Sequence, residues 1–207
     1  ATLLPGFMTP KTMHNEGNYI VSMGNVCRWL AEQAEEMGIE IFPGFPASDI
    51  LYNEDGSVGG VITGDMGISL NGEEKDSYEP GMELRAKYTV FAEGFRGHLG
   101  KELISKFELD AGKSPQHYAI GFKEIWDIPA EQHQEGSVVH SAGWPLTDTT
   151  DGSYLYHAEN NQVLIGLIVD LSYQNPHLSP FDESQRMKHH PVFEQDLKGG
   201  TRVSYGA

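Results

Sequence analysis

With 207 residues, 39% of them apolar and 21% charged, the chain suits one large domain or two small ones, and it is too apolar for disorder. A formal net charge of −16 argues against nucleic acid as a partner, because phosphate binding requires clustered lysine and arginine. A single cysteine, Cys27, rules out an internal disulfide and any four-cysteine zinc or iron–sulfur site built from this chain alone.

In chain order, Ala1 to Gly17 carries Pro5, Gly6, Pro10 and Gly17 and reads as a loop, with no basic region that would mark a signal peptide. No apolar run approaches the ~20 residues that span a bilayer. Asn18-Tyr19-Ile20-Val21 reads as a short strand. Ser22 then caps a helix running to Met37, with Val26, Leu30, Ala34 and Met37 on one stripe and Gly38 closing it. Ile39-Glu40-Ile41-Phe42 follows as a second strand. Asp49 to Tyr52 and Val58 to Thr63 flank Asn53-Glu54-Asp55-Gly56, a hairpin signal. Asp65 to Gly81 reads as an exposed loop whose tightest turn is Asn71-Gly72. Met82 to Ala92 is expected as a buried strand that stops at Glu93-Gly94, before a helix from Leu99 to Phe107. Such a strand-turn-helix suits an anion, since the turn exposes N–H groups and the helix N-terminus favours negative charge.

The character changes after Asp110 to Pro115. Tyr118 to Ile125, Ser137 to Ser141, Ser153 to His157 and Gln162 to Leu171 are β-branched and aromatic, with turns at the short spacing of an antiparallel sheet. Ser179-Pro180-Phe181-Asp182 opens a short helix that Pro191 is expected to end. Thr201 to Tyr205 reads as a final strand running to the end of the chain, and both ends look like cuts in a longer protein.

Hydrolase elbows, phosphate loops and zinc-protease motifs are missing from the sequence. Cys27, beside Arg28 near a helix start, reads first as a small buried apolar residue and second as an activated thiol. His189-His190 suits a solvated, partly capping role at a helix C-terminus better than a metal site, because adjacent helical residues diverge. His140 and His157, in strands near Trp144 and Tyr156, read first as hydrogen-bonded core histidines and second as residues lining a pocket. The stretch from Ala142-Gly143-Trp144-Pro145-Leu146 to Asp151-Gly152-Ser153-Tyr154-Leu155-Tyr156 reads either as a slot for a planar ligand or as a hairpin with core aromatics.

Several stretches, in order along nearly the whole chain, resemble the electron transfer flavoprotein–ubiquinone oxidoreductase family. They include Gly17-Asn18-Tyr19-Ile20-Val21, Gly24-Asn25-Val26-Cys27-Arg28-Trp29-Leu30 and Glu40-Ile41-Phe42-Pro43-Gly44. Phe91-Ala92-Glu93-Gly94, Gly143-Trp144-Pro145-Leu146, Tyr173-Gln174-Asn175-Pro176, Leu178-Ser179-Pro180-Phe181 and Ser204-Tyr205-Gly206-Ala207 continue the set. The resemblance implies an α+β chain: residues 1–112 a partial FAD-binding domain of glutathione-reductase/hydroxylase type with a β-meander, lacking its Gly-rich motif. Residues 113–207 would be a mostly antiparallel ubiquinone-binding domain, truncated at its end. It further implies that Met23, Arg28, Ala92, Glu93 and Gly94 lie at the FAD, and that Gly152, with Asp151 and Ser153, lies at the quinone. The family's Tyr-Gly-Gly-Ser is shortened here to Thr150-Asp151-Gly152-Ser153, placing a charge beside an apolar slot that needs a partner or solvent.

The family uses FAD and a 4Fe-4S cluster; neither is expected to be held by this chain alone. Its partners are electron transfer flavoprotein, ubiquinone and a membrane surface, and its place is peripheral on the inner (or bacterial plasma) membrane. A related FAD-dependent hydroxylase or geranylgeranyl reductase, or a non-catalytic binding module, are the competing readings.

Overall fold

The computed structural model describes residues 4–147 and 149–207, so the first three residues of the expected N-terminal loop lie outside the described residues. From Leu4 onward that loop holds two short 3-10 turns, Gly6–Met8 and Lys11–Met13. The chain divides into two compact units: Leu30–Ser114, and the residues up to Trp29 together with Pro115–Ala207. Helix α1 (Met23–Glu36) is covalently common to both.

α1 ends as its sequence dictates. Gly38 N donates to Glu35 O and Ile39 N to Ala34 O, the paired bonds of a Schellman cap. Its apolar stripe, however, is largely exposed. In the Leu30–Ser114 unit, β1 (Ala47–Tyr52) and β2 (Val58–Thr63) form the expected hairpin, closed by Gly56 N donating to Asn53 O. Asp65 to Gly81 is not a loop: β3 (Met66–Ile68) and β4 (Glu74–Glu79) pair antiparallel across a turn at Asn71-Gly72. The polarity of β4 hides it, since a ribbon exposed on both faces shows no apolar alternation. β5 (Glu83–Arg85) adds to β2, and helix α2 (His98–Phe107) buries Leu99 near Ile50 and Leu51 of β1.

Three segments expected as strands are not strands. Asn18–Val21, Ile39–Phe42 and Tyr88–Ala92 belong to no regular element and have no ladder partner among the described residues. Tyr88 is 90% and Val90 86% exposed, so Met82–Ala92 forms a strand only at β5. Apolar β-branched character favours a strand, but a strand also needs a neighbour for its N–H and C=O groups.

The other unit is built on one antiparallel sheet of five strands: β6 (Ala119–Asp127), β7 (Val138–Ser141), β8 (Asp151–His157), β9 (Gln162–Asp170) and β10 (Thr201–Gly206). Their order is β10-β6-β9-β8-β7. Alternation sorts the side chains. Leu155 of β8 and Val163, Ile165, Leu167 and Val169 of β9 share one core cluster. Against them lie Met187 of helix α3 (Pro180–Met187) and Phe193 and Leu197 of helix α4 (Pro191–Leu197). Ser179 caps α3 as expected, accepting from Asp182 N at 3.3 Å. Pro191 does not end the helical region; it opens α4 at its first position, where a missing N–H costs nothing. His190 caps α4, its Nδ1 accepting from Val192 N at 3.3 Å.

His157 is 3% exposed and its Nδ1 accepts from Gln134 N at 3.2 Å. Burial pushes its pKa below the ordinary 6.5; Asp196 opposes this and His133 adds to it. A folded pKa below the unfolded one means that the unfolded chain binds the extra proton first. Stability is therefore expected to be fully present above 6.5 and to decline as pH falls through the window beneath it. Asp196, whose carboxyl burial pushes up from 3.8, gives the opposite slope at lower pH. The comparison that isolates His157 is thus melting temperature against pH for the wild type and His157→Gln. The variant should show the flatter curve; parallel curves would count against the account.

Candidate functional site

The sheet face opposite the core carries Lys123 and Ile125 of β6, Tyr154 and Tyr156 of β8 and Leu164 of β9. These residues form one wall of a cavity of about 660 Å³. The segment from Ile20 through Val26, with Trp29, forms the other wall. A smaller cavity of about 320 Å³, lined also by Asn15 and His140, adjoins it and shares Ile20, Val21 and Tyr156. The larger volume falls in the range of small-molecule sites.

The floor is aromatic. Tyr154 and Tyr156 stack with ring centroids 5.6 Å apart and planes 28° from parallel. Burial raises both phenol pKa values, Tyr156 adding to the effect at Tyr154, so both hydroxyls stay protonated and able to donate. Neither hydroxyl has a hydrogen bond to another described residue. At the rim, Asn25 Nδ2 donates to Glu159 Oε1 at 3.1 Å, joining the first turn of α1 to the β8–β9 turn. Arg28 donates in turn to Asn25 Oδ1. With no nucleophile–base pair in its lining, this arrangement suits stacking on a flat, largely apolar ring and donating to oxygen at its edge.

The structure separates the expected site residues. Met23 lines the cavity; Arg28 is not among its lining residues and is engaged with Asn25. Asp151 finds its partner in backbone: Oδ1 accepts from Gly143 N at 3.1 Å and Oδ2 from Leu146 N at 3.4 Å. Ser153 is buried and hydrogen-bonded to Ser141 of β7. Gly152 falls on the same strand face as Tyr154 and Tyr156, two residues along. Trp144 belongs elsewhere, with the Arg186 guanidinium 4.5 Å from its ring and His190 beside it. The Gly143–Tyr156 stretch is therefore no single slot: strand alternation and the core sort its aromatics to two sides.

Glu93 fills the expected anion site. Its Oε2 accepts from Gly100 N at 2.8 Å, its Oε1 from Leu99 N at 3.4 Å, and His98 Nδ1 lies 3.3 Å away. The α2 N-terminus is capped by this carboxylate and does not fit a phosphate. Gly94, at φ +79°, takes the left-handed turn that directs Glu93 ahead of the helix, and the space above its Cα is open. An FAD thus fits beside Ala92–Gly94 only through backbone, not through the helix terminus. Cys27 is exposed rather than buried, and a lone thiol does not fit a four-thiolate cluster. Among the described residues no group of three His, Cys, Asp or Glu side chains is placed to hold a metal ion, and no helix is long and apolar enough to cross a membrane.

Tyr154 and Tyr156 stand out in the sequence, whereas Lys123, Leu164 and the nearby Gly166, which faces Tyr154 across the β8–β9 ladder, do not. The available signal was Gly166 itself, an isolated glycine inside an apolar strand run, which marks a close approach.

Residues 118–207 match the family model described as ETF-QO, ubiquinone-binding. The chain is 64% identical over 209 aligned residues to an electron transfer flavoprotein-ubiquinone oxidoreductase of Pseudomonas aeruginosa, covering 100% of this chain and 38% of that protein. Identity to the mitochondrial protein of that name from Bos taurus is 49% over 208 residues, covering 99% of this chain and 33% of the relative. Among solved structures, a triple mutant of the flavin-dependent brominase Bmp2 superposes with a TM-score of 0.58 at 14% identity, covering 87% of this chain and 42% of that one. At such identity the likeness is one of fold. The chain spans between 33% and 38% of the length of these two relatives.

Proposed function

We propose that this chain is part of an electron transfer flavoprotein–ubiquinone oxidoreductase, and that its larger cavity receives the head group of ubiquinone. The observation that carries the reading is the stacked Tyr154–Tyr156 floor of a cavity of about 660 Å³, on strands inside the matched residues 118–207. The ring stacks on the tyrosines, and a carbonyl or methoxy oxygen accepts from a tyrosine hydroxyl. Gly152 extends the same strand face with backbone alone, while Asp151 and Ser153 hold the β7–β8 connection in place. The ring's apolar faces are shielded from water by Ile20, Val26 and Leu164.

On this reading residues 113–207 are the ubiquinone-binding domain and residues 1–112 part of an FAD-binding domain. Met23 and Arg28 border the flavin at the start of α1, and Ala92, Glu93 and Gly94 form a backbone wall beside the cofactor. FAD supplies the redox chemistry when bound. The chain's own residues orient the acceptor and exclude water; a 4Fe-4S cluster would need thiolates from outside this chain. The enzyme passes electrons from reduced electron transfer flavoprotein to ubiquinone, peripherally on the inner or bacterial plasma membrane.

The test is titration of a short-tail ubiquinone followed by residue-resolved NMR. Saturable shifts at Tyr154, Tyr156 and Leu164 are expected. A linear, unsaturated response, or shifts confined to other residues, rejects the assignment.

A further inference from the structure

We propose that Tyr154, laid flat over Gly166, is the specificity-determining residue of this cavity: it sets the depth of the floor and so admits a single flat, carbonyl-bearing ring. The inference rests on the reading of the cavity as a quinone site and names what selects the ligand there. In the β8–β9 register Tyr154 stands directly opposite Gly166. A Cβ on Gly166 would meet Tyr154 Cζ and Oη at 2.5 Å and Cε1 at 2.7 Å. The tyrosine ring therefore occupies the place that any other residue at position 166 would claim. Room for a Cβ there requires the end of the Tyr154 ring to move by about 1 Å, from 2.5 Å to the ordinary contact of 3.4 Å, and so alters the cavity floor that this ring forms. A planar ring stacked on that floor needs ordinary contact across its face, so a shift of that size disturbs its seat.

Tyr156 holds the lowered ring from the other side by stacking, and the Tyr154 hydroxyl has no described protein partner. A cavity-lining phenol in that position can donate to an oxygen of a ligand. Gly121, the other glycine of the β6–β9 ladder, has no aromatic side chain against it: its Cβ would meet Ile168 Cγ1 at 3.7 Å. The close approach is thus particular to position 166.

The experiment uses the longest natural chain that carries this sequence, with Kd read by titration of a short-tail ubiquinone and, in parallel, of lumiflavin. Wild type should bind the quinone. Gly166→Ala should weaken it at least tenfold, and adding Tyr154→Ala should recover part of that loss because the displaced ring is gone. Tyr154→Leu alone should also weaken binding at least tenfold, and this variant decides the matter where Gly166→Ala does not fold. Quinone binding by wild type with both variants within threefold of it overturns the role of Tyr154 and leaves the quinone reading standing. Failure of wild type to bind quinone, or saturation by lumiflavin instead, overturns both.

Discussion

Glu124→Ala is expected to destabilise the chain by about 3 kcal/mol, because it strips the partner from a nearly buried lysine. Glu124, on β6, is 8% exposed. It accepts from Lys188 Nζ at 2.8 Å, Trp126 Nε1 at 2.8 Å, Arg202 Nη1 at 3.1 Å and Gln185 Nε2 at 3.3 Å. One carboxylate thereby ties β6 to the α3 region and to the edge strand β10. The Lys188 side chain is 14% exposed, so without Glu124 its charge stays in low dielectric and unpaired. Arg202 is more exposed and turns to water, which keeps the expected loss at the lower end for buried pairs. The acid limb has a definite sign. Burial is the largest influence and raises the carboxyl, but the Lys188 and Trp126 hydrogen bonds, the Lys188 charge and the Arg202 bond together hold it below 4.5. The stabilisation is present above 4.5 and is lost as pH falls through the folded pKa beneath it. Urea unfolding of wild type and Glu124→Ala should therefore differ most at neutral pH and converge in acid. A difference below about 1 kcal/mol at neutral pH, the size of an exposed pair, refutes the argument.

Phe193→Ala is expected to cost about 4 kcal/mol, the range for emptying a packed aromatic site. Phe193 is 1% exposed and is among the largest fully buried side chains described. It closes the core cluster from α4, next to Met187 and over the β9 row, with the His190 ring 6.2 Å away. α4 is short and held at its start by His190 and Pro191, so little can shift to fill the void. Gln195→Ala, on an exposed position of the same helix, serves as the control and should move stability by less than about 0.5 kcal/mol. Denaturant midpoints with unchanged slope measure both variants. A Phe193→Ala loss no larger than the control's would show that α4 does not seal this core.

Much of this architecture is legible because its signals are local. Ser179-Pro180-Phe181-Asp182 carries a cap, a proline and an acid within one turn, and α3 starts there. Asn53 to Gly56 carries its own turn chemistry, and alternation in β8 and β9 announces a two-faced sheet. The α+β class and the antiparallel second half follow from such runs. Pro191 misleads because proline stops a helix before it and starts one after it, and only packing of Phe193 on the sheet chooses. The β3–β4 ribbon misleads because its partner contacts are backbone, which side-chain pattern does not report.

The site divides the same way. The chemistry on hand is written in the residues themselves: tyrosines around a glycine-bearing turn, no hydrolytic constellation, too few thiols for a cluster. Which of these groups meet depends on the folded chain. Strand register placed Tyr154 on Gly166, turned Asp151 toward Gly143 and Leu146, and sent Trp144 to the side of Arg186. Folding of the 93–100 turn placed Glu93 on the α2 amides, filling an anion site that the strand-turn-helix pattern had offered to a ligand. Tyr88–Ala92 forms no strand and leaves Tyr88 and Val90 exposed, since a strand exists through its neighbour's hydrogen bonds, and no residue carries its neighbour in its own sequence.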